Sequence, residues 1–262
     1  MTAPWPIIAL LGVLGLAVGS FLNVVIYRVP RDESIMFPSS HCPACNEPIK
    51  ARHNVPVFAW LALRGRCASC GDRISVRYPL VEAGTSLLFM AITIRFGLTL
   101  QLPAYLYMAA VGIALGMIDF DARRLPDTIV LPSYIVSLLL LMPAGALHAN
   151  FWQSERALAG MTAFALIFFG LAVAYPSGIT FGDVKLAGLV GFYLGWLSWS
   201  AIAIGVLLSF AFAGFGGTAV AATHRGTRVV AVPLGSYLIA ASVLSLFVAA
   251  PISAWYGHLL AL

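Results

Sequence analysis

Four cysteines stand in two C-x-x-C pairs, Cys42-Pro-Ala-Cys45 and Cys67-Ala-Ser-Cys70, with 21 residues between them. In a reducing compartment such pairs are not expected to form structural disulfides. They offer instead the four thiolates that zinc takes in a tetrahedral set, and a site with four protein ligands is closed and structural. His41 and His53 lie nearby, but the set is complete without them. The competing reading is four free thiols or a redox pair. Against it, the segment from Arg28 to Tyr78 has only 51 residues, near the size at which a domain needs a metal to fold.

The second chemical feature is a scarcity. After Glu82 only five acidic residues occur in 180 positions: Asp119, Asp121, Asp127, Glu155 and Asp183. Four of them fall in two short segments, Asp119-Phe-Asp-Ala-Arg-Arg-Leu-Pro-Asp127 and Thr180-Phe-Gly-Asp183-Val-Lys185. Ionisable groups at membrane depth are costly and mark function. Two carboxylates brought together cannot both ionise readily, so one keeps a proton while the other is anionic. Such a pair can activate water with one member and protonate a carbonyl oxygen or leaving amine with the other, which is aspartic protease chemistry. Gly182 would let the backbone turn sharply beside Asp183. The same residues also admit a blander reading, in which the first three aspartates neutralise Arg123 and Arg124 and Asp183 caps a helix while pairing Lys185. A metal site or a transporter's proton relay could also be built from them.

The elements that must position these groups are set by composition. Of 262 residues, 61% are hydrophobic and 10% charged, with mean hydropathy +0.94. A soluble domain carries about 25% charged residues, so the chain reads as an all-α polytopic membrane protein with a small zinc-binding loop module. Eight apolar runs are candidate spans: Trp5–Tyr27, Pro79–Phe96, Leu102–Ile118, Thr128–Leu147, Ala157–Tyr175, Lys185–Leu197, Trp199–Ala222 and Val230–Leu259. The second contains Glu82, and the sixth is short for a bilayer of about 30 Å. Thirteen of the fifteen Lys and Arg fall on one face of this topology, with only Arg95 and Arg156 on the other. The basic face is expected to be cytoplasmic and both termini outside. No basic residue precedes the first span, so it is not expected to be a removable signal peptide. The net charge of +5 reads as topology and attraction to anionic lipid, with no case for nucleic acid. Glycines 15 and 19, 191 and 195, and 214, 216 and 217 lie within spans, where they suit helix packing. The segment His53-Asn-Val-Pro-Val-Phe-Ala-Trp-Leu61 reads as a strand or short helix at the membrane surface, or as the module's own small core.

In order along nearly the whole chain, the motifs resemble those of the bacterial type IV prepilin peptidases, membrane aspartic proteases with a G-x-G-D signature. The resemblance rests on Gly19-Ser-Phe-Leu-Asn-Val-Val-Ile-Tyr-Arg28, the two C-x-x-C pairs, Asn54-Val-Pro-Val, Leu63-Arg-Gly-Arg-Cys67 and Ser75-Val-Arg-Tyr-Pro-Leu-Val-Glu82. It continues through Ile118-Asp119 to Leu125-Pro-Asp127 and Phe181-Gly-Asp183-Val-Lys-Leu186. It implies that Asp119 and Asp183 are the catalytic pair, that Gly182 and Lys185 support the loop, and that Asp121 and Asp127 are peripheral. One departure stands out: Thr180 occupies the position of the signature's first glycine, and a β-branched residue narrows the backbone options there.

The resemblance further implies cleavage of prepilins or pseudopilins, for pili or type II secretion, at the cytoplasmic face of the inner membrane. It also implies N-methylation of the new terminus with S-adenosylmethionine, without assigning the residues that hold it. The expected organisation is a first helix over 1–27, a four-cysteine module over 28–78 and a helical peptidase domain over 79–262. Two other readings use the same residues: a zinc-module transporter with an aspartate proton relay, and a noncatalytic assembly scaffold. The enzyme is favoured because the rare acids sit at helix ends on one face, whereas a relay would place one in mid-span.

Overall fold

A computed structural model describes residues 3–147, 151–176, 178–223 and 233–260. The described residues form α-helices at every predicted span, with boundaries shifted by a few residues: α1 (Trp5–Arg28), α2 (Phe58–Ala62), α3 (Arg77–Phe96), α4 (Leu102–Ala122), α5 (Asp127–Leu147), α6 (Phe151–Ala174), α7 (Phe181–Leu197), α8 (Trp199–Thr223) and α9 (Leu234–Leu260). Extended pairing among them is confined to two isolated bridges, His41 with Pro48 and Arg66 with Arg73. Among the described residues seven helices are long and apolar enough to cross a membrane. Of the eight predicted spans the one left out is α7, the short sixth. Its 17 residues reach about 26 Å at 1.5 Å per residue. Every residue of it from Asp183 to Trp196 except Lys185 is buried, so it is the core of its unit.

The chain divides into two compact units, residues 1–114 and 115–262. In the first, α1 lies along α3. Gly15 and Gly19 make this possible: a Cβ on either would stand 2.7 Å from the Cα of Ser86 or Glu82 respectively. Ser86 adds a hydrogen bond from its hydroxyl to the Gly12 carbonyl at 2.8 Å. Lipid offers helices no hydrophobic incentive to associate, so close backbone packing of this kind carries the association. The predicted surface segment becomes the short helix α2, with Phe58 and Leu61 exposed and Ala59 buried.

In the second unit α7 packs against α6 by the same device. A Cβ on Gly160 would lie 2.6 Å from the Gly191 carbonyl oxygen, and one on Gly195 2.7 Å from that of Arg156. Arg156 then closes the far end of α7, its guanidinium donating to the carbonyls of Gly195, Trp196 and Leu197 at 2.6, 2.7 and 2.9 Å. Those are carbonyls that the last helical turn leaves without partners. Of the other predicted small-residue positions, Gly216 packs close against the Tyr237 side chain of α9, where a Cβ would collide, while Gly214 has open space. Arg225, Arg228 and the predicted beginning of the last span at Val230 lie outside the described residues, as does Gly217 as a packing position.

Candidate active site

Asp119 lies in the last turn of α4 and Asp183 in the first turn of α7. They are 5% and 4% exposed, and they are close enough to interact electrostatically. A third helix end completes the arrangement. The Ser236 backbone N–H donates to Asp119 Oδ2 at 2.8 Å, and the Ser236 hydroxyl lies 3.0 Å from the same oxygen. The preceding backbone N–H, that of Gly235, bonds Asp183. Two consecutive amides in the first turn of α9 thus serve the two carboxylates in turn. These amides are among the four that every helix start leaves without an intrahelical acceptor, and the positive end of the helix dipole favours negative charge there.

Asp183 is held in the same way as Asp119. The Thr180 N–H and hydroxyl both reach its Oδ2 at 2.8 Å, and Thr180 is the N-cap of α7 in a reciprocal capping box with Asp183. Each aspartate therefore has its Oδ2 tied by one amide and one hydroxyl of a single residue, Ser236 for Asp119 and Thr180 for Asp183. At Thr180 the backbone is extended, with φ −97° and ψ 162°, which a β-branched residue adopts readily. The departure from the glycine signature carries no backbone strain.

The role expected for Gly182 needs correcting. It lies within α7, outside the positive-φ residues, so no sharp turn depends on it. Space is the reason for glycine: a Cβ there would stand 3.1 Å from Leu125 Cβ, and one on Gly235 3.1 Å from Leu125 Cδ1. Leu125 is wedged between the helix starts at Gly182 and Gly235. Lys185 does not pair with Asp183. Its ammonium bonds both oxygens of Asp127, at 2.8 and 2.7 Å, on the exposed side, an ion pair worth about 0 to 1 kcal/mol. Its carbonyl accepts from the Tyr134 hydroxyl at 2.5 Å, which ties α5 to α7. Asp121 is exposed. Ser236 and Gly235 carried no sequence signal comparable to a carboxylate. The nearest clue was the helix-starting Pro233-Leu-Gly-Ser236 after a basic loop.

In the first unit the four cysteine sulfurs lie within 4.8 Å of one another, and Cys42 Sγ is 3.9 Å from Cys70 Sγ. Zinc bonded to sulfur at about 2.3 Å spaces tetrahedral sulfurs by about 3.8 Å, so the donor set fits that metal. The two knuckles are copies of one turn. Cys42 and Cys67 donate their amides to Glu47 and Asp72, and Asn46 and Gly71 return theirs to Cys42 and Cys67. The residue after the second cysteine has positive φ in both, Asn46 at 59° and Gly71 at 77°, and these two residue types tolerate that conformation best. Amides of Cys70 and Ser69 bring the Cys67 thiol down to about 6. At Cys70 the Asp72 amide also lowers, but desolvation and the thiols of Cys45, Cys67 and Cys42 outweigh it and push Cys70 up to about 12. Four crowded thiols resist losing all their protons without a cation among them. His41 and His53 are not in the cluster.

Residues 13–96 match the bacterial Peptidase A24 N-terminal domain, and residues 105–257 match the type IV leader peptidase family. A protein of Myxococcus xanthus is 42% identical over 197 residues, 75% of this chain and 57% of that relative's length. A Pseudomonas putida protein is 35% identical over 77% of each chain, and one from Neisseria gonorrhoeae 36% identical over 77% of this chain and 78% of its own. All three carry the name prepilin leader peptidase/N-methyltransferase. No solved structure matches the chain. With both family models in order along one polypeptide and a dyad at the meeting point of three helix ends, the chain belongs to the type IV leader peptidase family.

Proposed function

We propose that this protein is a bifunctional prepilin leader peptidase and N-methyltransferase of the bacterial inner membrane, with Asp119 and Asp183 as the peptidase dyad at the cytoplasmic face. The observation that carries the reading is the convergence of the two buried aspartates on consecutive amides of α9. Among the described residues of the second unit no other two acids are combined in this way, and the names of the relatives supply the substrate class. One proton shared by two carboxylates lets the anionic member take a proton from water while the protonated member gives one to the scissile carbonyl. As the C–N bond then breaks, the aspartate that took the water's proton gives it to the leaving amine, and its partner takes a proton back from a hydroxyl of the tetrahedral intermediate. A proton relay is disfavoured because the dyad caps helix ends and does not stand along a path through a bundle.

A dyad at the end of α4 and the start of α7 suits a substrate whose apolar helix stays in lipid while its polar leader reaches water. Zinc would be held by Cys42, Cys45, Cys67 and Cys70 as a structural ion, and S-adenosylmethionine supplies the methyl group of the second reaction.

The test is cleavage of a leader-bearing pilin precursor by protein purified in detergent. Asp119→Asn and Asp183→Asn each keep an acceptor for the helix-end amides, so both variants should accumulate and melt near wild type. Each should lose cleavage by about 10³-fold or more, while Asp121→Asn changes it less than about threefold. Retained cleavage in either dyad variant overturns the assignment.

A further inference from the structure

The first unit holds a partly open cleft of about 660 Å³, within the range of about 300 to 1,000 Å³ typical of small-molecule sites. One wall is made by the cysteine module, including Cys42 and Cys67, and the other by α1 and α3. The aromatic residues Tyr27, Trp60 and Tyr78 line it together with Asn23 and Glu82. The Trp60 ring is fixed by its indole N–H, which donates to the Ile74 carbonyl at 3.1 Å. Asn23 is held by a bond to the Tyr78 carbonyl at 3.2 Å, which leaves its own amide oxygen as an acceptor.

Glu82 is the unusual member. It is 8% exposed and lies in the second turn of α3. Its Oε2 accepts the Val57 N–H at 2.7 Å, and the Ser20 hydroxyl also bonds the carboxyl. Val57 has φ 62° and ψ −52°, with the Phe58 N–H bonded to the Pro56 carbonyl across it at 2.6 Å. That is the strained form of the three-residue turn, and a β-branched residue almost never adopts it. Strain of this size, about 1 to 3 kcal/mol, persists where the surroundings over-determine it and clusters at ligand sites. Here it aims an amide at Glu82 and fixes one carboxyl oxygen. A carboxylate in an aromatic-walled cavity fits a flat heteroaromatic ligand with a positive charge beside it.

We propose that this cleft is the S-adenosylmethionine site, with Trp60 and Tyr78 meeting the adenine and Glu82 meeting the sulfonium. The assignment rests on the methyltransferase reading above and adds the place and the charge partner. The cavity wall that contains Cys42 and Cys67 also gives the zinc module a function: it builds one side of the cofactor site.

The test is direct binding, by equilibrium dialysis of radiolabelled S-adenosylmethionine against full-length protein in detergent, with S-adenosylhomocysteine as the uncharged-sulfur competitor. Glu82→Gln should weaken S-adenosylmethionine at least tenfold and the homocysteine compound clearly less. Tyr78→Leu should weaken both, and prepilin cleavage and zinc content should stay at wild-type levels in both variants. Ultraviolet crosslinking of the label to the wild-type protein should modify a peptide within residues 20–82, whatever the stability of the variants. Wild-type protein that methylates a pilin while both variants bind as it does, or a crosslink in the second unit, overturns the site and leaves the methyltransferase reading standing. Wild-type protein that neither binds nor methylates overturns both.

Discussion

Thr180→Val asks whether the hydroxyl that replaces a signature glycine holds the dyad. Threonine and valine have nearly the same shape, and the extended backbone at this position, φ −97°, suits both. The substitution removes one bond, from Oγ1 to Asp183 Oδ2 at 2.8 Å, and leaves a methyl group against the carboxylate. The amide bonds from Thr180 and Gly235 persist. A hydrogen bond to a charged group is worth about 1.5 to 3 kcal/mol, and each 1.4 kcal/mol is about tenfold in rate. Cleavage should therefore slow by about 10- to 100-fold in kcat, with KM changed less than about twofold because the hydroxyl is spent on Asp183. The cap is weaker than the activity effect. Thr180 Oγ1 accepts the Asp183 amide only at 3.4 Å, so folding should lose no more than about 1 kcal/mol. Thr180→Ser restores the hydroxyl and should return to within about threefold of wild type. Thr180→Gly leaves room for a water to take the hydroxyl's place and should lose less than the valine variant, which explains how a glycine and a threonine can serve at one position. The assay is initial-rate cleavage of a purified prepilin in detergent. A valine variant with at least half the wild-type kcat, or a glycine variant as impaired as the valine one, refutes the reasoning.

Metal analysis of the purified protein should find about one zinc per chain. Cys42→Ser with Cys67→Ser should abolish it and, through the shared cavity wall, should abolish S-adenosylmethionine binding while leaving prepilin cleavage measurable. Zinc retained by that double variant would exclude the four-cysteine site. Gly191→Val should be among the most destabilising single changes in the second unit, since even its Cβ would stand 2.7 Å from the Phe164 Cβ. The expected cost is about 3 kcal/mol or more, read as lost accumulation and a lowered melting temperature. Gly214→Ala, in open space, should melt as wild type does, and a Gly191→Val protein that does the same would refute the close α6–α7 packing.

The helices were legible because apolar runs of about 20 residues have few alternatives in a bilayer. The short α7 was the hard case. Its length is short for a bilayer, and only the packing of α6 along Gly191 and Gly195 shows why a short helix can be the most buried. The cysteine module was legible from its spacing; the positive φ at Asn46 and Gly71 emerges only in the structure, at residue types that tolerate it. Gly182 was misread. Conformational freedom is the usual reason for a glycine, but here Leu125, six residues from Asp119 in sequence and far from Gly182, takes up the space, and a contact that distant leaves no local pattern.

The two segments that hold Asp119 and Asp183 stood out because carboxylates are rare in this chain, and the family resemblance chose Asp119 over Asp121; their partners gave no such signal, because serine and threonine are common in membrane helices. What makes Ser236 and Thr180 partners of the two aspartates is that each sits at the start of a helix, where backbone amides lack acceptors. In apolar surroundings an unpaired amide costs several kcal/mol. The starts of α7 and α9 need acceptors as much as the two aspartates need donors, and a single set of bonds satisfies both. The dyad therefore contributes to the fold it depends on. Its geometry is fixed by a requirement of the backbone, so the positions of Asp119 and Asp183 do not rely on side-chain packing alone.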